Sequence, residues 1–497
     1  MTPPGRQALQ LFSAALVLGV LADILAHTVP DRVKLAAWIV GALGVALALV
    51  RMGTVRVPRV SYALAAGTLI FALALIGRDA EPLFAFNVLT ALTLLVLAAP
   101  RAAPGRLRAA GIADLARAGV ESAACTLAGP LPAAAMDVDW SEVGVPGRRR
   151  GALAAAGGLL AVLPVLILFG SLLSSADPLF ARLLRSLFAF DLNVVAEHVV
   201  VIAAATWLAA GFVRWAFVAR PYERPALPAG AGIGVTAVAA ALGAVALLFA
   251  AFVAVELRYL FGGDALVRSL TGLSYAEYAR QGFFQLTWVA GLSVPLLLAA
   301  DWLVGTRDAG AQRLIRRLGG ILVLLIAVIL ASAMLRMRLY VSAYGLTEQR
   351  LYATAIMLWL GAVFVVFAVT VLRGHRERFA SAALLAGVAG VLLLNLANPD
   401  AIIARTDLAR AGGPGQFDPA YVGTLSADAI PAIAAALPAL PVPAQCALRA
   451  ALRHRWRESE GSSAWTLSRA SARGRIDDLA GQTPPGCPAT SATPGSR

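Results

Sequence analysis

A short stretch of the chain carries one cation and two phenols at a spacing that suits a single face of an α-helix. Arg336, Tyr340 and Tyr344 follow one another at intervals of four residues, and residues four apart are neighbours on a helix surface. Arginine can hold a carboxylate or phosphate through two parallel hydrogen bonds, and phenols can orient the bound group. The pattern therefore indicates a surface that binds a polar or anionic group, although Tyr and Arg are also ordinary anchors at a membrane boundary.

The residues around this stretch extend the same chemistry. Gly345 is expected to end the helix, and Thr347 to cap the next one, with Arg350 three residues further on. Arginines and tyrosines recur near other helix ends, and two carboxylates would balance the charge of the arginines. The predicted ligand-binding residues are Glu256, Arg258, Tyr259, Arg336, Tyr340, Tyr344, Arg350 and Asp400.

The composition excludes several other kinds of site. The single lysine, Lys34, lies in Arg-Val-Lys-Leu, so the chain has no Gly-Lys-Ser/Thr sequence of a P-loop ATPase. The four histidines are spread too widely along the chain for a clustered zinc site. We therefore expect neither a metal nor a cofactor. Asp23 and His27 are spaced i, i+4, and they form either a proton-carrying pair or a hydrogen-bonded structural clasp.

The elements that must position these residues are membrane helices. Of the 497 residues 59% are hydrophobic, and the mean hydropathy is +0.77. The net charge of +14 could suggest a nucleic-acid partner, but a soluble protein cannot hide so much apolar surface, so no such partner is expected. Eleven segments are apolar and long enough to span a bilayer. They are Leu9–Val29, Val33–Val50, Val60–Ile76, Phe84–Ala99, Leu153–Leu173, Val194–Val218, Ala231–Val255, Phe283–Val304, Leu318–Met334, Leu351–Leu372 and Ala380–Leu396.

The predicted fold class is thus an all-α polytopic membrane protein with about 11 transmembrane helices and a small, mainly helical C-terminal region. With the N-terminus inside, the cytoplasmic regions hold 21 Lys and Arg residues and the opposite loops hold 11, as the positive-inside rule requires. The Ala- and Arg-rich composition suggests a GC-rich bacterial genome. We therefore expect a bacterial inner membrane, a cytoplasmic N-terminus and an extracytoplasmic C-terminus.

Composition also predicts the domain boundaries. Residues 1–398 form the transmembrane domain, with a cytoplasmic loop at 100–150, and residues 399–475 form the extracytoplasmic C-terminal region. Residues 476–497 are rich in Pro, Ser and Thr and are expected to be disordered. Cys446 and Cys487 both fall on the oxidising side, where a disulfide and two free thiols are equally compatible with the sequence.

Several longer motifs carry a family resemblance. They include Glu256-Leu-Arg-Tyr-Leu-Phe-Gly262, Tyr340-Val-Ser-Ala-Tyr-Gly-Leu-Thr-Glu-Gln-Arg350, Asn398-Pro-Asp-Ala-Ile-Ile-Ala-Arg405 and Phe417-Asp-Pro-Ala-Tyr421. Together they resemble a bacterial integral-membrane family, the domain of unknown function 4173 family, over roughly residues 150–475. Thr406 departs from the pattern, since an asparagine is expected there. The resemblance implies a polytopic membrane fold with a C-terminal extramembrane part, and it brings no established activity or catalytic residues.

Three functional hypotheses follow. The first is transport or handling of a polar or anionic small molecule or lipid head group that enters from the extracytoplasmic face. The second is a membrane-embedded enzyme acting on an envelope or lipid-linked substrate, which requires two of four carboxylates to converge as acid and base. These are Asp177, Glu256, Asp264 and Asp400. The third is a non-catalytic scaffold or sensor whose C-terminal region binds a protein partner outside the cell.

Overall fold

The computed structural model describes residues 4–53, 57–102, 107, 110–129, 192–217, 234–271, 283–304, 309–411, 417–459, 465–481 and 487, with Phe169 and Leu173. The side chains of residues 4–9, 192, 193, 257–271, 283, 457–459, 477, 480 and 481 are not among them. All regular secondary structure in these described ranges is helical. Ten of the described helices are long and apolar enough to cross a membrane, which confirms the all-α polytopic fold.

Sixteen α-helices are numbered here in chain order. The helices before residue 230 are α1 (Pro4–Thr28), α2 (Asp31–Arg51), α3 (Arg59–Gly77), α4 (Glu81–Ala98), α5 (Ile112–Ala128) and α6 (Leu192–Phe217). The remaining membrane helices are α7 (Val235–Thr271), α8 (Phe283–Val304), α9 (Ala309–Tyr344), α10 (Glu348–Thr370) and α11 (Phe379–Ala397). The C-terminal region contains α12 (Pro399–Leu408), α13 (Pro419–Thr424), α14 (Ile430–Ala436), α15 (Val442–Ser459) and α16 (Leu467–Gly481).

The candidate spans are α1–α4 and α6–α11, and they coincide with ten of the eleven predicted segments. The predicted segment Leu153–Leu173 lies outside the described residues, apart from two isolated positions. Helix α9 continues beyond its predicted end at Met334 as far as Tyr344. Arg336, Tyr340 and Tyr344 therefore share one helix, as their spacing predicts.

The membrane helices pack in apolar groups. The largest core joins α7–α10 around the fully buried Leu322, Ile326 and Ile329 of α9. A second core is shared by helices α2, α3, α4 and α11. Helices α1 and α6 form a third group, and they pack so closely that a Cβ atom on Gly19 would lie 2.8 Å from the Ile202 carbonyl oxygen. Because lipid tails are as apolar as leucine, such contacts stabilise a bundle through close packing and not through removal from water.

The C-terminal region has an apolar core of its own, which includes the buried Ile403, Ile433 and Leu448. It begins directly after α11, because Asn398 turns the chain with a left-handed φ of 56°, a conformation that asparagine adopts more readily than most residues. The Asn398 side chain then accepts a hydrogen bond from the Ala401 N–H at 3.2 Å and caps α12. The region is therefore joined to the bundle without a linker.

A disulfide joins Cys446 of α15 to Cys487, with the two Cα atoms 5.6 Å apart. Of the two states that the sequence left open, the structure contains the disulfide, and Cys125 is a free thiol. Helix α16 runs to Gly481, so the predicted boundary at residue 475 falls inside this helix. The disulfide thus ties the chain beyond α16 back to α15.

Candidate functional site

A buried ion pair joins α7 to α9 near one end of the bundle. Arg336 Nη2 lies 2.7 Å from Oε1 and 2.6 Å from Oε2 of Glu256, and Arg336 Nε lies 3.0 Å from Oε1. The Ser332 hydroxyl also donates to Oε1. The Arg336 and Glu256 side chains are only 9% and 5% exposed. The guanidinium fork that was predicted to hold a ligand therefore holds a carboxylate of the protein itself.

One helical turn beyond this ion pair, Tyr340 supports a second arginine. The guanidinium carbon of Arg350 lies 4.0 Å from the centre of the Tyr340 ring, a distance at which the ring face attracts a cation. Arg350 Nη1 also donates to the backbone oxygens of Tyr344, at 3.0 Å, and of Gly345. Tyr344 packs edge-on against Tyr340 with ring centres 5.3 Å apart, and its outer face is exposed. Arg350 is thus held by a ring face and two carbonyl groups.

The turn between α9 and α10 sets this geometry. Gly345 ends α9 with a φ of 82°, as predicted, and a Cβ atom on it would lie 2.9 Å from Asp407 Oδ1. Asp407 Oδ1 accepts a hydrogen bond from the Leu346 N–H at 2.8 Å, and Arg410 donates to the last carbonyl groups of α9. Thr347 occupies the N-cap position of α10, but its hydroxyl makes no capping hydrogen bond, contrary to the prediction. The C-terminal region therefore holds this turn in place.

A cavity of about 670 Å³ opens beside Arg350, a volume within the usual range for small-molecule sites. Its wall combines aromatic faces, one cation and one carboxylate. The described residues that line it are Phe284, Tyr340, Thr347, Glu348, Gln349, Arg350 and Tyr421. The cavity lies where α8, α9 and α10 meet α13 of the C-terminal region.

Tyr421 links the C-terminal region to this cavity. Its hydroxyl oxygen accepts a hydrogen bond from the Glu348 backbone N–H at 2.9 Å. The pKa of Tyr421 is raised to about 12, mainly by burial and further by the negative charges of Glu348, Asp400 and Asp407, while the hydrogen bond from the Glu348 N–H opposes the rise. The phenol is therefore protonated at neutral pH, and its proton remains available for an acceptor in the cavity.

Asp400 is completely buried and is not among the described residues of the cavity wall. Its Oδ2 accepts a hydrogen bond from the Ser426 N–H at 3.0 Å, whereas Oδ1 has no hydrogen-bond partner among the described residues. Burial raises the pKa of Asp400, the hydrogen bonds from Ser426 oppose this rise, and repulsion by Asp428 adds to it. Asp400 therefore belongs to the interior of the C-terminal region.

Two aspartates exchange backbone hydrogen bonds between the membrane bundle and the C-terminal region. Asp428 Oδ2 accepts from the N–H groups of Asp79, at 2.7 Å, and Ala80, at 3.0 Å, just before α4. In return, Asp79 Oδ2 accepts from the Ala427 N–H at 3.2 Å. Sequence reasoning missed this junction, because the two aspartates lie 349 positions apart and neither belongs to a recognisable motif.

Polar side chains complete the same junction. The Ser468 hydroxyl donates to Asp428, and Arg469 Nε donates to Asp79 at 2.7 Å. Arg78 donates to the Asn395 backbone oxygen at 2.8 and 3.0 Å. The segment from Asn395 to Asp400, which contains one of the predicted ligand-binding residues, is thus part of the attachment of the C-terminal region.

The structure brings together only part of the predicted set. Tyr340 and Arg350 line the cavity, and Tyr344 contacts the first of them. The predicted ligand-binding set missed five residues of the described wall, namely Phe284, Thr347, Glu348, Gln349 and Tyr421. The last four of these lie inside two of the quoted motifs. Three other predicted residues have separate partners, since Glu256 and Arg336 pair with each other and Asp400 contacts Ser426. The side chains of Arg258 and Tyr259 lie outside the described residues.

The four carboxylates of the enzyme hypothesis do not form a described pair. Glu256 contacts Ser332 and Arg336, whereas Asp400 contacts Ser426. Asp177 and the side chain of Asp264 lie outside the described residues.

A second polar cluster lies where α1 ends. His27 Nδ1 lies 2.9 Å from the Asp23 backbone oxygen, and the Asp23 carboxylate contacts His198 of α6. Sequence spacing indicated the first contact but not the second, since Asp23 and His198 are 175 positions apart.

Comparison with known protein families identifies the chain. The model of a family described as a domain of unknown function (DUF4153) matches residues 64–436, about three quarters of the chain. The chain belongs to this family. The motifs had suggested DUF4173, so the family number is corrected to DUF4153, while the expectation of a family of unknown function is confirmed. No curated protein and no solved structure matches the chain.

Proposed function

We propose that this DUF4153 protein binds a polar or anionic substrate in the cavity beside Arg350 and transports or handles it from the extracytoplasmic face of a bacterial inner membrane. The observation that carries the proposal is Arg350 itself. Its guanidinium is stacked on Tyr340 at the cavity wall, and no carboxylate lies within ion-pair distance of it in the described part of the chain. The Asp407 carboxylate interacts electrostatically with Arg350 without forming a direct ion pair with it, so the guanidinium at the cavity wall keeps donors that suit an anionic ligand.

The donors around the cavity fit this ligand class. A guanidinium has five N–H donors, and among the described residues the backbone carbonyl groups accept from Nη1 of Arg350 alone. The Tyr421 phenol supplies a further donor, while Phe284 and Tyr340 offer apolar faces. We therefore expect a substrate with an anionic group next to an apolar or aromatic part, such as a lipid head group or an organic acid.

The position of the cavity supports binding at the membrane surface. Its described lining residues come from the end of α9, the first turn of α10, the start of α8 and helix α13 of the C-terminal region. We therefore assign this cavity the role of an entry or handling site.

Two observations support the proposed orientation. The Cys446–Cys487 disulfide is expected in an oxidising compartment, and the basic residues concentrate in the opposite loops. The C-terminal region and the cavity would then face the extracytoplasmic side, where this region would also be available to a protein partner. The enzyme hypothesis has no comparable support, because Glu256 and Asp400 have separate partners.

The proposal is tested by ligand-dependent stability of the full-length protein in detergent. Thermal unfolding would be followed with inorganic phosphate, acetate and a short-chain phosphatidylglycerol as separate probes. The variants are Arg350→Gln and, as a matched control, Arg338→Gln, which removes an exposed arginine from the neighbouring helix α9. A ligand at 100 times its Kd stabilises the folded state by about 2.7 kcal/mol.

We expect at least one probe to raise the unfolding temperature of the wild type and of Arg338→Gln, and to have no effect on Arg350→Gln. Stabilisation by phosphatidylglycerol alone would identify a lipid head group as the ligand, and stabilisation by phosphate or acetate would identify a soluble anion. Equal stabilisation of all three proteins, or of none by any probe, would refute the proposal.

A further inference from the structure

Four side chains with metal-binding atoms meet where α1 ends and α6 begins. Asp23 and His27 lie one turn apart in α1, and Glu197 and His198 are consecutive in α6. One donor atom from each of Asp23, His27 and His198 lies within 4.8 Å of the other two. The two imidazole rings are 4.2 Å apart, centre to centre. This cluster lies on helices that do not contribute to the described wall of the cavity.

Hydrogen bonding orients the first imidazole. His27 Nδ1 lies 2.9 Å from the Asp23 backbone oxygen, so it carries a proton, as is usual for the non-ligating nitrogen of a metal-bound histidine. The other nitrogen, Nε2, lies 3.4 Å from Glu197 Oε1. Two ligands of one tetrahedral Zn²⁺, with bonds of about 2.0–2.1 Å, are about 3.3–3.4 Å apart. The spacing of His27 and Glu197 is therefore that of two ligands of one ion.

The second imidazole faces the carboxylate of Asp23. His198 Nδ1 lies 2.9 Å from both Asp23 oxygens, which is a hydrogen-bond distance. If an ion replaces the shared proton, these atoms need to separate by only a few tenths of an ångström. Asp23 Oδ1 also lies 3.5 Å from His27 Nδ1, so the carboxylate is close to both rings.

Charge and exposure favour a divalent ion at this place. The cluster contains two carboxylates, and no arginine or lysine lies within ion-pair distance of either one among the residues that the structure describes. With neutral imidazoles the cluster has a charge of −2, which one divalent ion would neutralise. Exposure rises from 11% for the Asp23 side chain through 31% for His27 and 41% for His198 to 66% for Glu197, so an ion can reach a site whose inner ligand is buried.

We propose that Asp23, His27 and His198 bind one divalent transition-metal ion, with Zn²⁺ as the test ion, and that the ion links α1 to α6. Glu197, which lies outside this group of three but 3.4 Å from His27, completes the site when the ion binds. Imidazole and carboxylate are ligands that Zn²⁺ accepts readily. The proposed site does not depend on the proposed function, since it uses other helices and other residues.

The test is Zn²⁺ binding to the full-length protein, purified in detergent with an affinity tag that contains no histidine and then treated with a chelator. Titration with ZnCl₂ against a chromophoric competitor gives the stoichiometry and the affinity. The variants are Asp23→Asn, His198→Ala and His27→Gln. The matched control is His375→Ala, which removes an exposed histidine from another part of the chain. Gel filtration and helical circular dichroism show which variants are folded.

We expect one Zn²⁺ per wild-type chain, an affinity lowered at least tenfold in Asp23→Asn and His198→Ala, and an unchanged affinity in His375→Ala. His27→Gln should also bind more weakly, which keeps the test decisive if one of the other variants does not fold. The proposal would be overturned by the absence of stoichiometric binding to the wild type, or by folded variants of the cluster that bind Zn²⁺ as tightly as His375→Ala.

Discussion

Replacing Arg336 with methionine should destabilise the bundle strongly. The change leaves the Glu256 carboxylate buried with the Ser332 hydroxyl as its described donor, and it removes three N–H···O contacts of 2.6–3.0 Å. Loss of one partner from a buried ion pair costs about 3–5 kcal/mol. Because the two charged side chains are only 5% and 9% exposed, we expect the loss to fall in this range. Ser332→Ala removes one hydrogen bond to a charged group and should cost less, about 1.5–3 kcal/mol.

A double variant separates the charge effect from a packing effect. Glu256→Leu combined with Arg336→Met removes both charges, and such replacements are often close to neutral, so the double variant should recover most of the lost stability. The free energy of unfolding would be measured by titration of detergent micelles with sodium dodecyl sulfate, followed by tryptophan fluorescence. The reasoning is refuted if Arg336→Met lies within about 0.5 kcal/mol of the wild type, or if the double variant is as unstable as the sum of the single ones.

Three further predictions concern the C-terminal region. Asp428→Asn should loosen its attachment, because a carboxylate that accepts from the Asp79 and Ala80 N–H groups is lost; hydrogen exchange in α14–α16 should accelerate, and unchanged protection would contradict this. Cys446→Ser should cost about 4 kcal/mol for a loop of 41 residues in the chain-entropy account, so an unfolding midpoint equal to that of the oxidised wild type would argue against it. Asp400→Asn should retain full stability at pH 7 and weaken the pH dependence. The pKa of Asp400 is raised in the folded protein, so its stabilising contribution is present below the unfolded-chain pKa and is lost as the pH rises through the folded-state pKa. Denaturant titrations between pH 4 and pH 7 would contradict this if the free energy of unfolding changed equally with pH in both proteins.

Local patterns predicted the elements and one helix face. Apolar runs of about 20 residues are sufficient to locate membrane helices, and ten such helices are present in the described residues. The spacing of Arg336, Tyr340 and Tyr344 predicted a shared helix, and Gly345 predicted its end. These features depend only on residues that are close together in the chain, which explains why they could be predicted from the sequence.

Partners that are distant in the chain could not be predicted in the same way. Helical spacing places Arg336 and Tyr340 on one face of α9. Only the packing of α7 against α9 shows that the Arg336 guanidinium is paired with the Glu256 carboxylate. The same limitation explains the missed contact between Asp23 and His198. Thr347 had the residue type and position of a helix cap, yet the Tyr421 hydroxyl contacts the Glu348 N–H instead.

The most direct test of the central claim is chemical labelling of a cavity residue in intact cells. Gln349 is exposed and lines the cavity, and Gln349→Cys in a Cys125→Ser background leaves the disulfide cysteines intact. The rate of labelling by a membrane-impermeant maleimide would be measured with and without the anion identified by thermal stabilisation. We predict labelling from the extracytoplasmic side, slowed several-fold by the anion, and no slowing when Arg350→Gln is added. Labelling only after the membrane is permeabilised, or a rate that the anion does not change, would contradict an extracytoplasmic anion-binding site at Arg350.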